Sequence, residues 1–181
     1  ADGPGKDERQ TASMWWPPSS PQPTSTYHKR NLVPFGEWIP ARSFFLPLIP
    51  VLGNIGRQSV PGTTPGVLDA TIAGQKVPVG VVVCFEVAHD GTVADTVRHG
   101  AKILVVQSNN SSFIDTAQTP QQWQITRARA IETGRHIVVS TTNSFSGLVN
   151  PDGSVAVRTN EGGHTHFTVT MPCLLYTSPS P

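Results

Sequence analysis

The run Val79-Gly-Val-Val-Val-Cys-Phe85 is apolar at consecutive positions and rich in β-branched side chains, and Ile103-Leu-Val-Val-Gln107 repeats the pattern farther along. A strand apolar on both faces must be covered on both faces, which is the situation of a central strand in an α/β sheet. Between the two runs, Thr92 followed by Asp95 marks a helix start and Gly100 a stop, so a short helix over residues 93–99 is expected. Strand, helix, strand implies a parallel pair joined by a right-handed crossover. Cys84 then falls at the C-terminal end of the first strand, and the polar turn Ser108-Asn-Asn-Ser-Ser112 at the end of the second. In open sheets of this kind, functional groups collect at that edge.

The remaining elements follow from local chemistry. Thr119 as N-cap, Pro120 at the first helical position and Gly134 past the end bound a second helix. Residues 136–141 form a strand, Asn150-Pro-Asp-Gly153 is a turn between strands over 145–149 and 155–158, and one more strand is expected at 166–170. Residues 1–26, dense in Pro, Ser and Thr and without a period of 2 or 3.6, are expected to be irregular. From Tyr27 to Pro40 the chain reads as a short extended piece followed by turns at Pro34, Gly36 and Pro40. Residues 41–66 carry four prolines and four glycines and read as a long ordered loop.

At 181 residues, one domain is expected. The net charge of +1, with 14% charged residues, supplies no basic field for a nucleic-acid backbone. No apolar stretch approaches the roughly 20 residues of a membrane span, and the N-terminus lacks the basic start and apolar centre of a signal peptide. Two cysteines, Cys84 and Cys173, make no disulfide framework, so Cys84 is either a buried core thiol or a nucleophile.

Sheet handedness allows Lys29, Cys84 and the 108–112 turn to share one cleft. A thiol becomes a nucleophile at neutral pH when a nearby cation favours the thiolate and a base takes the proton. Lys29 can supply the charge and steady an oxyanion, with the Phe85 amide as a second donor. Glu86, two residues past the thiol, points to the same side if the strand continues, and would orient the lysine or a substrate amine. A Cys–His pair with His89 or His136 and a metal at His164 and His166 are weaker readings, for want of a fixing motif or a third ligand. The four tryptophans read as core or interface aromatics. Arg127, Arg129, Glu132 and Arg135 read as a charged helix face.

Three segments, Tyr27-His-Lys-Arg-Asn-Leu-Val-Pro-Phe-Gly-Glu37, Val83-Cys-Phe-Glu86 and Ser108-Asn-Asn-Ser-Ser-Phe113, resemble the apolipoprotein N-acyltransferase family of the nitrilase (carbon-nitrogen hydrolase) superfamily in order and spacing. Arg127-Ala-Arg-Ala-Ile-Glu-Thr-Gly-Arg135 and the Asn-Pro-Asp-Gly turn continue the likeness, which covers residues 27–171. It implies a nitrilase-like α-β-β-α sandwich, attached in the whole protein to a transmembrane domain, with its active site on the outer face of the cytoplasmic membrane. The implied reaction passes an acyl chain from a phospholipid, through a cysteine thioester, to the N-terminal amine of a diacylglyceryl apolipoprotein, with no cofactor. Cys84 would be the nucleophile, Lys29 and the Phe85 amide the oxyanion donors, and Glu37 and Glu86 positioning groups. Phe44, Phe45, Leu46, Leu48 and Ile49 would face lipid or form a lid.

The chain departs from the family in one catalytic position. The family's general-base glutamate belongs to a Trp-Pro-Glu motif upstream of the lysine. Here Trp16-Pro-Pro18 has proline at that position, only ten residues separate Pro18 from Lys29, and Asp7 and Glu8 match nothing. The sandwich is therefore expected to be incomplete on its N-terminal side. The division is an irregular segment 1–26, a partial catalytic domain 27–171 and a tail 172–181 that reads as vector read-through. Two other functions stay open: a soluble hydrolase of a small amide or nitrile, and an inactive chain lacking the base.

Overall fold

The computed structural model describes residues 8–72, 74–160 and 166–171. Cys173, His164, Asp7 and the tail 172–181 lie outside the described residues. The elements in order are β1 (Glu8–Arg9), β2 (Ala12–Trp15), β3 (Ser25–His28), α1 (Arg42–Leu48), a 3-10 turn (Pro50–Asn54), β4 (Gln58–Ser59), β5 (Val67–Ile72), β6 (Gln75–Val83), a 3-10 turn (Cys84–Ala88), α2 (Asp90–Arg98), β7 (Ile103–Asn109), a 3-10 turn (Ser111–Phe113), α3 (Gln118–Thr133), β8 (Ile137–Thr142), β9 (Gly147–Val149) and β10 (Val155–Arg158).

Six strands form the main sheet in the order β10-β9-β8-β7-β6-β5. Its centre, β6, β7 and β8, is parallel, with Val83 opposite Gln107 and Gln107 opposite Ser140. Antiparallel β5 and β9 flank it. The two faces of β6 are covered differently. Val82, with Leu104, Val106, Ile137, Val139 and Val149, packs against Val93 of α2 and Trp123 and Ala130 of α3. Val81 and Val83, with Leu68, pack against Tyr27 of β3 and Trp15 of β2. The result is a helix layer, a six-stranded sheet and a second β layer, consecutive layers of the α-β-β-α sandwich. In that second layer, β2 pairs antiparallel with β3; β1 and β4 form a separate parallel pair.

Gly80 explains how closely α2 seats on the sheet. A Cβ at that position would come within 2.5 Å of Leu104 Cδ2 and 2.8 Å of both Ala101 Cβ and Thr96 Cγ2, distances at which packed atoms overlap.

Several expectations need correction. Part of the segment expected to be irregular is strand: Ala12–Trp15 is held by β3, a long-range pairing with no local signal. The region 41–66 is not a loop throughout, since it holds α1, a 3-10 turn and β4. Pro50 opens that 3-10 turn, where a missing N–H costs nothing. Helix α2 begins at Asp90 and not after Thr92, whose hydroxyl donates to Asn31 Oδ1 at 2.5 Å. Helix α3 begins at Gln118, so Thr119 lies inside it and is buried. Both helix stops hold, with Gly100 at φ 96° and Gly134 at φ 59°. Residues 166–171 form no strand.

Candidate active site

Because β6, β7 and β8 are parallel, their carboxyl ends open on one edge, and the residues that follow them face one another there. Strand β6 stops at Val83. The chain then turns at Cys84 with φ 55°, a left-handed conformation that a non-glycine residue adopts only where its surroundings enforce it. The turn puts Cys84 at the wall of a cavity of about 360 Å³, with Phe85, Val87 and Ala88 beside it and Asn110, Phe113, Gln122 and Ile125 opposite. The 108–112 turn therefore shares the cleft with Cys84, through Asn110. The Phe85 amide is the second N–H of a 3-10 turn and has no carbonyl partner within that turn.

The enforcing group is Glu86. Its carboxylate does not point to the thiol side, as a continued strand would require, because the 3-10 turn carries it underneath into the protein, fully buried. Oε2 accepts the Val83 N–H at 2.9 Å, and Oε1 accepts the Tyr27 hydroxyl at 2.8 Å, the Arg30 N–H at 2.7 Å and the Asn31 N–H at 3.0 Å. Three donors converge on Oε1 and one on Oε2. Glu86 thus ties the turn bearing Cys84 to the backbone immediately after Lys29. Burial, reinforced by the Glu86 charge, pushes the Tyr27 phenol well above its ordinary range, so it stays a donor.

Lys29 follows β3 two residues after Tyr27, on the same buried face. Its ammonium pairs with Glu37 Oε2 at 2.6 Å, with the lysine side chain 1% exposed. The same oxygen accepts the Val33 N–H at 2.8 Å. A compact turn brings Glu37 back: the Phe35 N–H donates to Trp38 O, the Gly36 and Glu37 N–H groups both donate to Val33 O, and Phe35 adopts φ 58°. The partner that orients Lys29 is therefore Glu37, not Glu86. No hydrogen bond joins the thiol to His89 or His136 among the described residues. The His89 ring instead packs edge-on against Phe85, centroids 5.3 Å apart.

Strand β2 reaches this layer, where Trp15 packs against the cluster that also contacts Cys84. Trp16-Pro17-Pro18 comes next and turns back toward β3, with the Ser20 N–H on Pro17 O and the Trp16 indole N–H on Ser20 O. Pro18 supplies no ionisable group there.

Two further features go beyond what the sequence indicates for their segments. Ser108 Oγ donates to Asn110 Oδ1 at 2.6 Å and Asn110 Nδ2 donates to Gln122 Oε1 at 2.8 Å, a buried polar link on the cavity wall opposite the thiol. Arg127 and Arg129 of α3, and Arg135 just past its end, are also more than a charged face. Arg127 and Arg135 donate to the carbonyls of Gly153 and Ala101, and Arg129 to those of Val87 and Ala88. The tryptophans divide: Trp123 is core, while Trp16 is more than half exposed.

The profile of the carbon-nitrogen hydrolase family matches residues 13–173. Among curated proteins, the apolipoprotein N-acyltransferase of Mycolicibacterium smegmatis is 38% identical over 149 residues, covering 82% of this chain and 24% of that protein. That of Gloeobacter violaceus is 35% identical over 134 residues, covering 71% of this chain and 24% of that protein. The chain therefore spans about a quarter of the length of these relatives. Among solved structures, Saccharomyces cerevisiae Nit3 of the nitrilase superfamily aligns with a TM-score of 0.56 at 16% identity, over 79% of this chain and 46% of that one. An amidase from Nesterenkonia sp. aligns with a TM-score of 0.54 at 19% identity, over 77% of this chain and 47% of that one. The nitrilase-type fold, the profile match and the relatives' identities converge: the chain belongs to the carbon-nitrogen hydrolase family, and its curated relatives are apolipoprotein N-acyltransferases.

Proposed function

We propose that the chain is the nucleophile-bearing part of a thiol acyltransferase that moves an acyl chain from a phospholipid to the N-terminal amine of an apolipoprotein. The observation that carries the reading is the Glu86 carboxylate, which joins the Cys84 turn to Tyr27, Arg30 and Asn31 around Lys29 by three hydrogen bonds and holds the Val83 N–H with a fourth. Cys84 Sγ attacks the ester carbonyl, and the tetrahedral oxyanion is held by the Phe85 N–H and the Lys29 ammonium. The ester C–O bond breaks, the thiol proton ends on the departing lysophospholipid hydroxyl, and a thioester remains on Cys84. The lipoprotein amine then attacks the thioester carbon, the C–S bond breaks, and one amine proton returns to the thiol. The cavity beside Cys84, walled by Val87, Phe113 and Ile125, suits an acyl chain. No helix among the described residues is long and apolar enough to cross a membrane, so the outer face of the cytoplasmic membrane would be reached through the rest of the protein.

A second reading rests on Pro18. With proline where the family motif carries its acid, that position supplies no base for thiol deprotonation, and the chain alone would be a folded but inactive scaffold. The test is incubation with phosphatidylethanolamine vesicles and a synthetic diacylglyceryl-cysteine peptide, following lysophospholipid release and amide formation. Stoichiometric release that depends on Cys84 supports the acyltransferase. Release of ammonia from a small amide instead supports the hydrolase, and silence in a folded chain supports the scaffold.

A further inference from the structure

The C-terminal carbonyls of the nucleophile turn are held from a different layer. Arg129, on the fourth turn of α3, donates from Nε to Val87 O at 2.9 Å and from Nη2 to Ala88 O at 3.2 Å. Its Nη2 also meets Asp90 Oδ1 at the start of α2, and its Nη1 meets Glu132 Oε2. The guanidinium side chain is 12% exposed and the Asp90 carboxylate largely solvated. A single fork therefore joins the end of the Cys84 turn, the first residue of α2 and its own helix.

Peptide groups in a 3-10 turn point the same way, carbonyls toward its C-terminus and N–H groups toward its start. Clamping the carbonyls of Val87 and Ala88 therefore sets the direction in which the N–H at the other end, that of Phe85, faces. Glu86 fixes the same turn from the opposite side, through Val83 N–H and the lysine strand. The turn is thus gripped at both ends, by a carboxylate under its start and a guanidinium over its end. Val87 and Ala88 also wall the cavity.

We propose that Arg129 is a positioning residue for Cys84 chemistry, holding the Phe85 amide where the oxyanion of a tetrahedral intermediate forms. The proposal rests on the thiol acyl-transfer reading and adds a residue to it. Arginine is required because its planar fork reaches two carbonyls at once, which a lysine ammonium on a flexible stem does not do.

The test separates acylation from simple alkylation. Attack of Cys84 on p-nitrophenyl butyrate passes through an oxyanion, breaks the ester C–O bond and releases p-nitrophenolate. Alkylation by iodoacetamide displaces iodide at a saturated carbon and forms no oxyanion. Burst release and Cys84 alkylation are measured for the 181-residue chain and for Arg129→Met and Arg129→Lys, with thermal melts alongside. Arg129→Met is expected to slow the burst on the order of 100-fold with alkylation unchanged, and Arg129→Lys to fall between it and the parent. Equal bursts in Arg129→Met and the parent overturn the proposal, as does a parallel fall of burst and alkylation in both variants, which would mark a purely structural role. A parent chain whose Cys84 alkylates but gives no burst overturns the acyl-transfer reading itself, and the proposal with it.

Discussion

The Tyr27 hydroxyl donates to Glu86 Oε1 at 2.8 Å, and neither side chain is exposed to solvent. This bond crosses from the second β layer to the turn that bears Cys84. It is reinforced by the amides of Arg30 and Asn31 on the same oxygen. Removing the hydroxyl in Tyr27→Phe leaves those amides in place, so the expected loss is about 2 kcal/mol, read from urea melts.

The same pair sets a pH dependence. The folded-state pKa of Tyr27 lies above its unfolded value because burial and the Glu86 charge oppose the phenolate. The folded state then holds its proton where the unfolded state has released it, so stability is fully present below the ordinary tyrosine range and declines as pH rises through and above about 10. Melts across that range are expected to show a steeper alkaline decline in the parent than in Tyr27→Phe.

Lys29 and Glu37 form the next test. Glu37→Ala leaves a buried ammonium without its partner and is expected to cost about 3 kcal/mol. Adding Lys29→Met to Glu37→Ala removes the orphaned charge and is expected to recover part of that loss. Acylation of Cys84 is expected to stay reduced by 100-fold or more, on the order of one lost oxyanion donor. A double-mutant cycle that scores stability and acylation separately reads both effects.

Gly80→Ala places a methyl against Leu104, Ala101 and Thr96 at the distances that seat α2. Overpacking at that junction is expected to cost about 1–3 kcal/mol, seen as a lowered melting temperature with Cys84 alkylation retained.

How far these features were legible in the sequence depends on the range of the interaction that makes each. Strands β6 and β7 and the stops of α2 and α3 are written locally, in β-branched runs and in glycines at left-handed positions. Strand β2 is four residues long, and pairing with β3 is what orders it. The direction of Glu86 differs from the strand expectation because β6 ends at Val83, two residues before the end of its apolar run. The left-handed turn at Cys84 then rotates everything after it. Lys29 is a candidate from sheet handedness and thiol chemistry, whereas Glu37 enters only through a family motif, since a spacing of eight residues across Pro34 and Gly36 says nothing by itself about an ion pair. Arg129 reads as a solvated helix residue until α3 is laid against the Cys84 turn.

The account turns on Cys84 carrying an acyl group. The direct measurement is intact and peptide mass spectrometry of the chain after incubation with phospholipid vesicles, with Cys84→Ala as control and hydroxylamine as the cleaving reagent. The account expects a hydroxylamine-labile mass increase of one acyl chain on the peptide containing Cys84, absent from the control. An unmodified Cys84 in a chain shown by its melt to be folded, or an adduct that persists in Cys84→Ala, would contradict it.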